Sequence, residues 1–243
     1  MMIFKNQIIL SSIFFLLTLN VVSQQNFVNV PNSEITPKNK HFFQQQVTST
    51  NSTTQLSSSY NYGLGKGIEF GLNIWLINIK YKPISIIANN SNLHEPITPT
   101  CMLNAAKQFS LTTDNSITIG GQFGNSLIKP SIKNNLGLTY LNFKFKNLII
   151  EHSILVFGTY YSTKTYGGDG NRFGAWIGVD VPISKQLYFM GESIFGSNYI
   201  STSCIGLVYA PVQHIPLTFA LQLPNNKNTI TSFVFEITIL PKN

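Results

Sequence analysis

Charge is what this 243-residue chain has least of: Asp, Glu, Lys and Arg together make up 10%, against roughly 25% in a typical soluble domain. Hydrophobic residues stand at 43%, so the chain is not intrinsically disordered, which requires low hydrophobicity and high charge. A solvated helical bundle is excluded as well, because its outer surface would be rich in Glu and Lys. Arginine is almost missing, with Arg172 alone, and although the net charge is +7 the lysines are scattered. A nucleic-acid surface clusters its basic residues, so no nucleic-acid partner is expected. The two cysteines, Cys101 and Cys204, are far apart; a pair in an oxidising compartment is one reading, and small half-buried strand residues is the favoured one. His41, His94, His152 and His214 form no i, i+2 or i, i+4 pair, so a metal site of tight local spacing is not expected. There is no nucleophile elbow and no phosphate-binding glycine loop; Gly63-Leu64-Gly65-Lys66-Gly67 reads as a hairpin turn. Beyond Leu19 no apolar run is long enough for a transmembrane helix.

What the chain does have begins with an address. Lys5 precedes an apolar stretch, Ile8–Leu19, and Val21 and Ser23 sit at −3 and −1 of a cleavage point before Gln24. The stretch is too short for a bilayer anchor, which takes about 20 apolar residues. Residues 1–23 therefore read as an export signal, with no lipobox cysteine behind it. Residues 24–40, with Pro31 and Pro37, form a polar N-terminal segment, and 41–243 a single β domain.

Period-2 runs recur over about 42–50, 54–63, 67–77, 100–111, 116–124, 135–145, 147–161, 172–182, 186–195, 199–210, 215–223 and 230–240, separated by Gly, Asn, Asp and Pro turn signals. The expected fold is all-β, an up-and-down antiparallel transmembrane β-barrel of about 12 strands. Alternation alone does not separate a barrel from a sandwich. Connection lengths do: with the last strand ending in the periplasm, the inner connections (Leu64–Lys66, Thr112–Asn115, around Lys146, Ile183–Lys185, Ala210–His214) are short. Four of the outer ones are longer: Asn78–Pro99, Asn125–Asn134, Ser162–Asn171 and Pro224–Thr229. Asn78–Ala88 has room for extra strand. Trp75, Tyr160, Tyr161, Phe173, Trp176, Phe195 and Tyr199 fall at outer strand ends, and Phe143, Phe145, Tyr188, Phe189 and Tyr209 at inner ends, where interfacial girdles are expected.

Tyr62 to Asn73 (YGLGKGIEFGLN), Leu103–Lys107 (LNAAK), Gly206–Tyr209 (GLVY), Leu223–Asn225 and Glu236–Thr238 resemble segments of small outer-membrane β-barrel proteins, transporter-like, of Bacteroidetes-type bacteria. The resemblance implies an outer-membrane barrel. The chain departs from many such barrels in ending Ile239-Leu240-Pro241-Lys242-Asn243, without a terminal aromatic.

Chemistry-bearing candidates are few. Glu151-His152-Ser153 sets His beside Ser, but adjacent strand residues point to opposite faces, so this His cannot act as base for that Ser. No catalytic residue, enzyme activity or cofactor is expected. Glu69, Asp180 and Glu236 alternate against apolar neighbours, and Lys144 opposes Leu141, Phe143 and Phe145. A charge facing lipid at mid-membrane costs up to a few kcal/mol, so these four are expected to line the lumen. Glu192 and Glu151 lie in runs with less clean faces. Two uses of the inward set compete: a polar channel for small solutes, or an interior plugged by Glu–Lys pairs and by Asn78–Pro99 or the N-terminal segment. The expected function is passive transport of small polar solutes across the outer membrane, with outer-membrane lipid as surroundings. The rivals are a non-conducting structural or surface-interaction barrel and a secreted β-sandwich binding module.

Overall fold

A sheet that is apolar on one face and polar on the other avoids bare edges only by closing on itself. The computed structural model describes residues 26–128, 135–227 and 229–242; the export signal over residues 1–23 lies outside them. Among the described residues thirteen strands form one sheet. They are β1 (His41–Ser49), β2 (Thr53–Gly65), β3 (Ile68–Tyr81), β4 (Ile84–Ile87), β5 (Thr100–Ser110), β6 (Asn115–Ser126), β7 (Leu136–Lys146), β8 (Ile154–Ser162), β9 (Phe173–Pro182), β10 (Leu187–Phe195), β11 (Thr202–Val212), β12 (Ile215–Pro224) and β13 (Ser232–Ile239). Twelve close into an all-antiparallel barrel, and β4 folds back on the far end of β3 as an extra strand. Closure is between β1 and β13, in register Val47↔Phe235. The start of β1 and the end of β13 thus lie at one end of the barrel, the termini end; the opposite, loop end carries the longer connections.

The two faces invert the order of a water-soluble barrel. Outside stand Leu103, 63% exposed, Phe123, 56%, and Phe173, 72%; inside, Asn142, Thr218 and Glu236 are each 0% exposed. An apolar outer band around a polar interior is the arrangement that hydrocarbon solvates well and water does not. No helix of the described residues is long and apolar enough to cross a membrane.

Three local readings change. The run 147–161 does not begin as a strand: Asn147 and His152 have φ of 58° and 65°, and the Ser153 hydroxyl accepts from Ile149 N and Ile150 N, both at 3.2 Å. Leu148, Ile149 and Ile150 are exposed on this turn at the termini end, and β8 starts only at Ile154. Their apolar character resembles strand, but the side-chain hydrogen bonds close a turn. Secondly, β3 continues to Tyr81 through a bulge at Trp75–Leu76, where Leu76 has φ 60°. Thirdly, five of the twelve expected girdle residues face the wrong way for it. Phe173, Phe195 and Tyr209 are exposed outside, whereas Tyr160, Trp176 and Tyr188 are buried and Trp75 and Tyr199 border the interior. Trp176 shares its parity with Asp180, and parity decides the face. Both cysteines are free, Cys204 buried and Cys101 half-buried.

Candidate functional site

The lumen is filled from one end by the chain's own N-terminal segment. Residues 26–36 run inside the barrel, with Phe27, Val28, Val30, Asn32 and Ser33 all at most 4% exposed, and Pro37, Lys38 and Asn39 lie exposed at the termini end. A turn at the tip, Phe27 N to Val30 O at 3.0 Å, points backbone N–H groups at the wall. There the Glu192 carboxylate accepts Asn29 N at 2.9 Å, Val30 N at 2.9 Å and the Asn29 amide at 3.0 Å. Further along, the Asn142 amide donates to Pro31 O at 2.8 Å, and Gln108 Nε2 to Ser33 O at 2.5 Å. Thr36 donates to Glu69 from both its N, at 2.8 Å, and its hydroxyl, at 2.7 Å. Two glycines make the room. A Cβ on Gly178 would stand 2.4 Å from the Phe27 ring, and one on Gly63 would stand 2.0 Å from Pro37 O.

Glu69, Lys144, Asp180 and Glu236 all stand on the inner face, and each is at most 7% exposed. They do not come together. Glu69 holds Thr36. Lys144 reaches Glu34 of the segment at 3.0 Å, beside Lys146 at 2.9 Å. Burial pushes the Glu34 carboxyl up, but the two ammonium groups outweigh that and hold it below the ordinary carboxylate range. Glu236 is fully buried, with the Thr238 hydroxyl donating to it at 3.4 Å. Asp180 is 7% exposed, and its Oδ1 has no hydrogen-bond partner among the described residues. Sequence reasoning missed Glu192 as the chief fastening point. Its parity with Met190 and Ile194 was the available signal, blurred because those inward neighbours are apolar too. Glu34 was missed because it lies in no strand.

Above the segment a cavity of about 450 Å³ remains and reaches the loop end, where Thr50, Glu95 and Thr229 rim it. Its side walls are chiefly Asn, Gln, Ser and Thr; Glu69 and Glu95 are the charged residues on it, and no Lys, Arg or His among the described residues borders it. One wall carries a chain of ordered amides: Asn104 donates to Asn73 at 2.9 Å, Asn73 to Gln122 at 2.7 Å, and Gln122 to the Tyr166 hydroxyl at 2.5 Å. Trp75 stacks on Tyr166 with centroids 4.7 Å apart, and Trp176 stacks on Tyr160 at 5.0 Å. Trp176 Nε1 is fixed by Asn142 Oδ1 at 2.6 Å.

The fold is similar to that of small porins. KdgM porin superposes with a TM-score of 0.57 at 10% identity, over 82% of this chain and 98% of that one. The same porin in complex with disordered oligogalacturonate gives the same values. NanC porin gives 0.55 at 10% identity, over 84% and 100%. No protein-family profile matches the chain, and no curated protein matches it in sequence.

At the loop end a surface clasp joins two connections: Asp169 pairs with His94 Nδ1 and, at 3.0 Å, with Lys164. His94 and then Lys164 hold Asp169 below the ordinary carboxylate range. At the termini end Ser153 Oγ donates to Ile150 O at 2.6 Å, and His152 turns instead to Glu151 at 3.7 Å. The Ser153 hydroxyl is thus engaged in closing its own turn. Among the described residues no group of His, Cys, Asp and Glu is placed to hold a metal ion.

Proposed function

We propose that this chain is an integral outer-membrane β-barrel through which small polar solutes pass passively, with residues 26–40 as a stopper that must shift for passage. Outer-membrane lipid surrounds the apolar band, the termini end faces the periplasm and the loop end faces outside. The observation that carries the reading is the combination of an apolar exterior with a polar cavity that reaches the loop end and is bordered by Asn26, Val28, Asn29 and Pro31 of this segment. The similarity in fold to KdgM and NanC porins supports it.

A second reading follows from the same floor: a non-conducting barrel that holds a small ligand in its outer half. Planar-bilayer recording separates the two. Asn26 and Gln44 hydrogen-bond side chain to side chain at 3.0 Å, so cysteines at both positions, in a chain with Cys101 and Cys204 replaced by serine, are within reach of a short reducible bis-thiosulfonate cross-linker that would tether the stopper. Passive transport predicts conductance in the unaltered protein, loss of it in the cross-linked N26C/Q44C variant, and recovery on reduction. Silence in all three forms establishes the non-conducting barrel instead.

A further inference from the structure

We infer that the outer half of the lumen is a binding site for neutral, polyhydroxylated solutes of mono- or disaccharide size, and not for ions. The inference rests on the reading of this cavity as the solute's route. Its volume, about 450 Å³, lies within the roughly 300–1,000 Å³ of small-molecule sites.

The lining decides the class. A sugar hydroxyl both donates and accepts, and so does each amide or hydroxyl side chain, so either orientation of a given pair is satisfied. Gln46, Gln55, Asn73 and Asn104 supply this along one wall, on the neighbouring strands β1, β2, β3 and β5. An anionic solute would leave water for a site with no bordering Lys, Arg or His among the described residues and with Glu69 and Glu95 facing it. Desolvating a charge without a partner costs several kcal/mol. A cationic solute fares little better. The Glu69 carboxylate already accepts Thr36 N, Thr36 Oγ1 and the Asn61 amide, and Glu95 is an exposed rim residue, well screened by solvent.

Two further features match a sugar. An aromatic ring borders the cavity, Trp75 backed by Tyr166, and flat rings pack against the C–H faces of a pyranose. The Asn104–Asn73–Gln122–Tyr166 chain is ordered before any solute arrives, which lowers the ordering cost on binding.

The chain has two tryptophans, Trp75 and Trp176, and both border this cavity, so their emission reports occupancy whether or not solute passes through. The full protein, purified from membranes in detergent, is titrated with glucose, galactose, maltose, cellobiose and sucrose, and separately with galacturonate and lysine. The expected result is a saturable emission change with at least one neutral sugar, and binding of galacturonate and of lysine at least about tenfold weaker. Gln46→Ala and Gln55→Ala should each weaken the sugar response about five- to tenfold, as loss of one or two hydrogen bonds. Heat-modifiable gel mobility identifies folded variants, and Trp75→Phe serves as a second probe that keeps an aromatic ring against Tyr166. Absence of a saturable change with every neutral sugar overturns the proposal, as does tighter binding of galacturonate or lysine. Sugar binding without conductance leaves the site standing and removes passive transport; conductance without sugar binding does the reverse.

Discussion

The two halves of the lumen treat polar side chains in opposite ways. Towards the termini, Glu69, Glu192, Lys144 and Lys146 all engage the segment 26–40. Towards the loops, the wall is almost neutral and open. The contrast teaches that a carboxylate facing a barrel interior is not by that fact a selectivity charge for passing solutes. A buried carboxylate has to be satisfied, and here the donors are the chain's own backbone N–H groups. The neutral amides of the other half lose little by meeting water, and so they are free to exchange it for a solute.

The largest effect is expected from Glu192→Ala, which breaks the contrast from below. It leaves Asn29 N and Val30 N without their acceptor, at about 1–3 kcal/mol for a buried donor left unmade, while the Asn29 amide keeps Gln222 Oε1 at 3.1 Å. The stopper should unseat and bilayer conductance rise at least about tenfold, while the barrel keeps its heat-modifiable mobility. Conductance equal to that of the unaltered protein would mean that the tip is held by packing of Phe27, Val28 and Val30 alone.

Glu69→Gln keeps one oxygen as acceptor for Thr36, and removes the charge and the second oxygen that accepts the Asn61 amide. Charged acceptors are worth about 1 kcal/mol more than neutral ones, so the expected rise is about fivefold. A rise matching that of Glu192→Ala would show the segment held as strongly at its base as at its tip.

Acidification sharpens the comparison further. Glu34 has a depressed pKa in the folded protein, so its contribution is fully present above the ordinary carboxylate value, about 4.3. It is lost as pH falls through the depressed value. Conductance should therefore stay level from pH 7 to 5 with respect to this group and rise below about pH 4. In Lys144→Met, where Glu34 keeps only Lys146, the step should move to higher pH. An unmoved step would show that Lys144 does not hold Glu34.

The smallest effect belongs to the loop-end clasp. Asp169→Asn weakens its contacts with His94 and Lys164, all three partly open to solvent. Conductance and sugar response should stay within error of the unaltered protein, with limited proteolysis around 163–172 somewhat faster. A change in either transport readout would make the clasp part of the solute route.

Much of the barrel was legible in the residues. Ile215, Leu217, Phe219 and Leu221 against Thr218, Ala220 and Gln222 assign two faces without any partner strand, and β12 has those faces. Connection lengths separated the two ends. Where both faces of a strand are apolar the pattern is silent, as in β10, with Met190 and Ile194 inside and Phe189 and Phe195 outside, and Glu192 went unassigned. Trp176 was misplaced because a general preference of aromatics for membrane interfaces competed with its parity, and parity is the stronger constraint. A connection around Lys146 was expected, but its extent to Ser153 was missed because apolar Leu148, Ile149 and Ile150 outweighed the hydrogen-bonding capacity of Asn147 and Ser153.

The sequence by itself determined the class of fold and the sense of the two faces. Those properties follow from a period of two along the chain, which is local. Only the tertiary structure decided what the inward charges meet. Glu192 and Asn29 stand 163 residues apart and Lys144 and Glu34 110 apart. Whether such groups touch depends on how the closed sheet curves and where Gly178 and Gly63 leave space, and no local pattern encodes that.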